Sequence, residues 1–310
     1  MTSLTDTPSG TGPRLTPGTV GVFVLICLTW GLSWTAVKAG IATIPPFLFA
    51  ATRFLVAGLV LLALARATEG RVARPTAAER PRLLVSAALM TAGNAGPMFW
   101  GLQFVPTALA GVVNLALIPV GIYVFALLHR AERFSARHAT ALALGVVGLV
   151  LLFSPDAAGA DPGQAFGLMM IVVGTLSYAW GAILCRPLVA RHGPIGMSGW
   201  ICLVGGAVLL PLSAATEPWN AAVFAGFLDP AAFAGWAFMT ILSSVVAFTL
   251  YLRLQRDWGP ARAGLYAFVS PIVAVVAGVG LAGETLSPAA WAGMGVLGLA
   301  AWLALRPQAS

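Results

Sequence analysis

"PVGIYVFALLHRAERFS" runs from Pro119 to Ser135, and "PIVAVVAGVGLAGETLS" runs from Pro271 to Ser287. Each opens on a proline, continues as an apolar run, reaches a glutamate thirteen positions later (Glu132, Glu284) and ends on a serine three beyond that. The first stretch closes among His129, Arg130 and Arg133, with Arg137 just beyond, whereas the second closes with no basic residue. A repeat that keeps its length and its acid but drops its positive charge says that its two copies end in different surroundings.

Those surroundings are set by composition. Of 310 residues, 59% are hydrophobic and 9% charged, against about a quarter charged in a soluble domain. The few charges cluster between apolar stretches, which is the pattern of a chain whose outer shell is lipid. With about 20 apolar residues needed to cross the hydrocarbon core, ten spans are expected, near 18–37, 46–65, 82–104, 107–128, 137–153, 165–185, 195–214, 232–252, 261–282 and 288–305. The division between the third and fourth, through Gln103 and Pro106, is the weakest. Continuous apolar runs, in place of the alternation of barrel strands, specify helices. Connections are too short for a separate soluble domain. Residues 1–17, rich in Thr, Pro and Gly, are expected to form a disordered tail, with the first span as insertion signal. Cys27, Cys185 and Cys202 stand in or at the ends of spans with no metal-ligand spacing and read as small packing residues.

Ten spans put both termini on one side, and sorting the loops alternately separates the charges. With the termini fall Arg14, Arg66, Arg71, Arg74, Arg80, Arg82, Arg130, Arg133, Arg137, Arg186, Arg191, Arg253, Arg256, Arg262 and Arg306. The other side holds Lys38 and the acids Asp156, Asp161, Glu217, Asp229 and Glu284. The positive-inside rule makes the side of the termini cytoplasmic. The net charge of +7 is then a topology signal with affinity for anionic lipid headgroups, and scattered arginines without interleaved aromatics exclude a nucleic-acid surface.

Aligning Pro119 with Pro271 also aligns Glu132 with Glu284 and Ser135 with Ser287, all at an offset of 152. Ala108, Ala110 and Gly111 match Ala261, Ala263 and Gly264; "GVVGL" from Gly145 matches "GVLGL" from Gly295; Trp30 and Gly31 match Trp180 and Gly181. A duplication is expected, with halves at 18–153 and 165–305. Five crossings per unit is odd, so the second copy enters the membrane from the opposite side. Inverted repeats of this kind characterise transporters whose site lies near the midplane.

With "WGLSWTAVKAG" (Trp30–Gly40), "RFLVAGLVLLALA" (Arg53–Ala65) and the proline-to-glutamate helices ending in "AERFS" and "GETLS", the chain resembles the drug/metabolite transporter superfamily over residues 18–305. Within it, the resemblance is to the ten-span EamA-type exporters, and most to the YddG-like branch of aromatic amino-acid and metabolite exporters. It implies an all-α integral membrane protein of the bacterial inner membrane, with ten helices as two inverted five-helix repeats forming a basket. The central cavity would be lined by the first, third, fourth, sixth, eighth and ninth spans. Export of small organic solutes from the cytoplasm, with no cofactor, is likewise implied by the resemblance alone.

Polar residues within spans are costly and face a cavity or a neighbouring helix. The candidates are Thr29 and Ser33, one turn apart, beside Trp30 and Trp34; Thr91, Asn94 and Met98, next to Pro97; Asn114, five residues before Pro119; and Tyr266, five before Pro271. The sixth span adds Thr175, Ser177, Tyr178 and Trp180, and the eighth Thr240, Ser243, Ser244 and Thr249. The substrate-binding set expected from these is Thr29, Trp30, Ser33, Asn94, Met98, Asn114, Tyr178, Trp180, Ser244 and Tyr266. Ser and Thr also bond their own backbone or join helices, and mid-helix Pro119 and Pro271 read as hinges. Trp34, Trp100 and Trp219 suit an interfacial belt. Amides, hydroxyls and aromatic faces suit a zwitterionic or aromatic amino acid.

All ten acidic residues fall in loops or at span ends, so the buried carboxylate of a proton-driven exporter is missing and gradient-driven efflux is expected. Arg53, the one charge within a span, reads as snorkelling outward or pairing with a polar group, and Lys38 as an anchor or exit-side guide. An intramembrane enzyme finds no aspartate pair, zinc motif or phosphate loop in the spans, and a scaffold would need no polar cavity. A sugar-phosphate or nucleotide-sugar carrier would need several midplane cations.

Overall fold

The computed structural model describes residues 16–70, 72, 74–101, 104–105, 107–153, 162–272 and 288–305. Among them every regular element is helical: α1 Pro17–Gly40, α2 Pro46–Glu69, α3 Arg80–Met90, α4 Ala92–Gly101, α5 Thr107–Leu128, α6 Ala136–Phe153, α7 Pro162–His192 and α8 Pro194–Thr216. A short α9 (Ala221–Ala225) and a 3-10 turn (Gly226–Leu228) lead to α10 (Pro230–Phe238), a π-helical stretch (Met239–Ala247), α11 (Phe248–Trp258) and α12 (Pro260–Ala263). The helix at 266–272 is α13, and Pro288–Leu305 is α14. Gln103, Pro106, Glu284 and Ser287 lie outside the described residues.

Pro46–Glu69, Gly163–His192, Pro194–Thr216 and Pro230–Trp258 are each long and apolar enough to cross a membrane. Shorter apolar helices cover Pro17–Ser33, Val113–Leu128, Ala136–Leu151 and Trp291–Ala304. Large apolar side chains such as Leu59, Val85, Val147 and Met169 point outward, as a chain solvated by lipid requires.

Helix starts are written in the sequence by proline in the first turn, where its missing N–H costs nothing. Pro17, Pro46, Pro194, Pro230 and Pro260 all serve so. At Gly193 (φ +84°) and Gly259 (φ +86°), just before two of these prolines, the left-handed backbone favours glycine. The start of α2 is completed from a distant element: the Glu217 carboxylate, just past α8, accepts from Phe47 N (2.6 Å) and Leu48 N (2.8 Å) and from Ser213 Oγ (2.7 Å). It satisfies two N–H groups that no helix can satisfy internally, at the positive end of the helix dipole. Glu217→Ala is expected to cost about 2 kcal/mol or more and to lower the melting temperature in detergent by roughly 5 °C. Glu217→Gln, which keeps one acceptor, should fall between.

At the opposite end of α2 lies a second acid cluster. Glu79 accepts from Thr76 N (2.8 Å) and Arg191 Nη1 (2.9 Å) and meets His192 Nε2 at 3.0 Å. The Thr76 N–H, then His192, hold its carboxyl at about 2 against the usual 4.5. Because the folded value is the lower one, the stability it contributes is complete above about pH 4.5 and is lost as pH falls through about 2. Thermal unfolding should therefore separate Glu79→Gln from the parent at pH 7, and the gap should close on acidification.

Two spans are less regular than expected. The third breaks at Thr91, between α3 and α4, where Thr91 Oγ1 donates to Ala87 O (2.8 Å), with Pro97 inside α4. The eighth widens to the π form, with Ser244 Oγ donating to Met239 O five residues back (2.9 Å). π-Helical segments are rare and frequently accompany functional sites.

Packing uses small residues, as expected where lipid supplies no hydrophobic drive between helices. A Cβ on Gly58 of α2 would come within 2.7 Å of Leu203 N in α8, and one on Gly206 within 2.8 Å of Leu55 N. α6 and α14 meet in the same way at Gly148, 2.8 Å from Leu297 Cγ by the same construction. α7 packs along α3, α4 and α5, and α1 along α10, the π stretch and α11.

Candidate functional site

A cavity of ≈ 480 Å³ opens between these helices. α1 supplies Trp30, Gly31 and Ser33; α3 to α5 supply Met90, Asn94, Met98 and Asn114; α7 supplies Tyr178; the π stretch supplies Ser243 and Ser244; α13 supplies Tyr266 and Pro271. Its size falls in the range of small-molecule sites.

The amides are held by α7. Asn94 Nδ2 donates to Gly174 O (3.1 Å), and Asn114 Nδ2 donates to Thr175 Oγ1 (2.8 Å), with Met98 Sδ at 3.8 Å. Thr175 Oγ1 itself donates to Ile171 O (2.7 Å). Both amide oxygens keep free acceptor capacity among the described residues, beside space that a solute can enter. An aromatic wall stands with them: the Trp30 ring lies 4.2 Å from Tyr266, edge on, and 5.2 Å from Tyr251, and Tyr251 lies 5.5 Å from Tyr266. These edge-on and tilted rings brace one another, with Trp30 and Tyr266 on the cavity wall and Tyr251 buried behind them.

Of the expected site residues, Trp30, Ser33, Asn94, Met98, Asn114, Tyr178, Ser244 and Tyr266 line this cavity. Thr29 and Trp180 do not. Thr29 is buried in helix packing, and its carbonyl accepts from Ser33 Oγ (2.8 Å). Trp180 is 41% exposed on the outside of α7, its indole N–H donating to His129 Nε2 (3.1 Å) and its ring stacked 5.9 Å from Phe125. Being two residues from Tyr178, it leaves the helix on another face. Of the expected hinges, Pro271 lines the cavity and Pro119 is buried in α5. Trp34 and Lys38 sit on α1 with side chains outside the described set.

Span assignments changed too, because α2 and α8 also reach the cavity through Arg53, Phe54, Ile201 and Cys202. Arg53, read from the sequence as snorkelling outward or pairing with a polar group, stands among the cavity-lining residues. Its charge in an apolar run was a visible signal, but snorkelling and cavity lining place the same letter on different faces.

A model of the EamA-like transporter family matches residues 18–154 and again residues 165–306. The chain belongs to the EamA-like transporter family. With helices of membrane-crossing length, it is a membrane transporter of the drug/metabolite transporter superfamily. The uncharacterized inner membrane transporter YedA of Escherichia coli (strain K12) is 29% identical over 281 residues, 89% of this chain and 87% of that protein. The uncharacterized transporter YoaV of Bacillus subtilis (strain 168) is 22% identical, covering 82% and 85%, and Protein PecM of Dickeya dadantii (strain 3937) is 29% identical, covering 80% and 79%. A crystal structure that is 20% identical superposes on the transporter with a TM-score of 0.75 over 93% of this chain and 96% of that one, which is a likeness of fold.

Proposed function

We propose that this transporter moves amino acids, aromatic and other neutral or zwitterionic ones, and related small metabolites out of the cytoplasm by alternating access, as a member of the YddG-like branch. The carrying observation is that several matching positions of the two halves line the cavity together, although Trp30 and Gly31 do so without their counterparts Trp180 and Gly181. At an offset of 148, "FLVAGLVLL" from Phe54 matches "CLVGGAVLL" from Cys202, and Phe54 and Cys202 both line the cavity. So do Asn94 and Ser244, Met98 and Phe248, Asn114 and Tyr266, and Ile118 and Ser270, pairs at offsets of 150 and 152.

The acids support inversion as well. Glu217, past α8, caps the start of α2, and Glu69, at the end of α2, brings Oε1 within 3.7 Å of a Cβ built on Gly193 at the start of α8. Such reciprocity arises when two like helices run in opposite senses. The two irregular helices support it again, since the break at Thr91 and the π stretch fall in the third span of each half. Ten helices in two inverted units at 18–153 and 165–305, with residues 1–17 as a cytoplasmic tail and both termini inside, account for the charge sorting. The relatives named inner membrane transporters favour that membrane here too.

A sugar phosphate would meet one cationic side chain among the described lining residues, too few for a phosphate dianion. Counterflow into liposomes, with and without a pH gradient, tests the function; failure to exchange any amino acid or common metabolite would sink it. Reporters after Glu132 and after Glu284 should appear on opposite faces, and the same face for both would rule out inversion.

A further inference from the structure

Among the described residues, no ion pair balances the charge of Arg53. It stands seven residues past Pro46, about 10 Å along the helix, in a segment long and apolar enough to cross a membrane. Its Nε is buried without a hydrogen-bond partner among the described residues. The guanidinium carbon lies 4.2 Å over the ring of Phe54, which supports a cation without satisfying its N–H groups. A guanidinium stays protonated in proteins, so a positive charge with an unpartnered Nε–H stands at the cavity wall.

The surroundings hold it at the cavity. Beside it, Thr52 Oγ1 accepts from Trp236 Nε1 (3.1 Å) and donates to Leu48 O (2.8 Å), fixing the face that α2 presents to α10. Past it, Gly58 packs closely on the backbone of α8, where a Cβ would come within 2.7 Å of Leu203 N. The matching position in the other half is Ile201, also on the cavity wall, so the charge marks one wall only.

We propose that Arg53 is an anion subsite of the cavity and takes a single carboxylate of the cargo through its planar fork. It rests on the cavity being a cargo site. One guanidinium matches one carboxylate, and the acceptor oxygens of Asn94 and Asn114 with the faces of Trp30 and Tyr266 receive an ammonium group and an apolar or aromatic body. The cargo class is therefore an α-amino acid or a monocarboxylate of similar size.

Calorimetric titration of the full chain in detergent with L-phenylalanine and with its uncharged-terminus analogue L-phenylalaninamide tests this without transport. The parent should bind the carboxylate at least tenfold more tightly than the amide. Arg53→Gln should erase that preference, and Arg53→Lys, which keeps the charge but not the fork, should retain part of it. Thermal unfolding confirms that each variant is folded; should Arg53→Gln fail to fold, Arg53→Lys with an undiminished preference decides against the subsite. Equal binding of both probes by the parent, no carboxylate binding, or an unchanged preference in Arg53→Gln would overturn it. A chain that shows the Arg53-dependent preference yet moves nothing into liposomes would overturn the transport proposal and leave the subsite standing.

Discussion

Gly58→Val is expected to abolish a stably folded transporter. The space a side chain would need at Gly58 is occupied by backbone of α8, with a Cβ only 2.7 Å from Leu203 N and 2.9 Å from Gly199 O. Backbone cannot rotate away as a side chain does, so α2 and α8 must separate along their length. The same interface holds Gly199, whose Cβ would meet Leu62 N at 3.1 Å, and Gly206 against Leu55, so the loss propagates. A cost of about 3 kcal/mol or more is expected from overpacking of this kind. Size-exclusion in detergent should show the monodisperse peak lost, and Gly206→Val should behave alike. Gly21→Ala is the contrast: nothing lies within 4 Å of that Cβ, and the melting temperature should hold or rise slightly. A well-folded Gly58→Val protein would contradict the close contact of α2 with α8.

Asn114→Leu should leave the fold intact and lower transport at least tenfold. Leucine keeps the branched, four-atom outline of asparagine, so no cavity opens in α5, and Thr175 Oγ1 still donates to Ile171 O. Loss of one side-chain hydrogen bond costs about 1 kcal/mol. The amide of this cavity-lining residue disappears altogether, and a cargo N–H that met its oxygen is left unpaired, which discriminates more strongly than loss of apolar contact. Initial counterflow rates, compared with melting temperature, separate the two effects. Unchanged rates would remove Asn114 from the site.

The contrast between Asn114 and Trp180 shows how far the sequence could be read. A buried amide in an apolar helix is expensive wherever it points, so Asn94 and Asn114 announce a polar environment from their letters alone. An aromatic residue is at ease in packing, in a cavity or against lipid, so Trp30 and Trp180 look alike in sequence. Trp30 lines the cavity, while Trp180 lies on the outside of α7 beside His129. Ser33 and Thr29 differ for a related reason: a hydroxyl bonded to its own helix satisfies itself on either face. The π stretch had no local sign, since Met239–Ala247 contains neither Gly nor Pro.

What the sequence determined by itself is the solvent and the helices. Apolar runs of membrane length exclude a water-solvated core, and first-turn prolines set many of the helix starts, because both follow from the chemistry of neighbouring residues. Tertiary structure alone decided which side of each helix meets which neighbour. That depends on close backbone approach at Gly58, Gly199 and Gly206 and on long-range bonds such as Glu217 to Phe47 and Leu48. These contacts join residues more than a hundred positions apart, and they turn Arg53 from a charge to be hidden into one that faces the cavity.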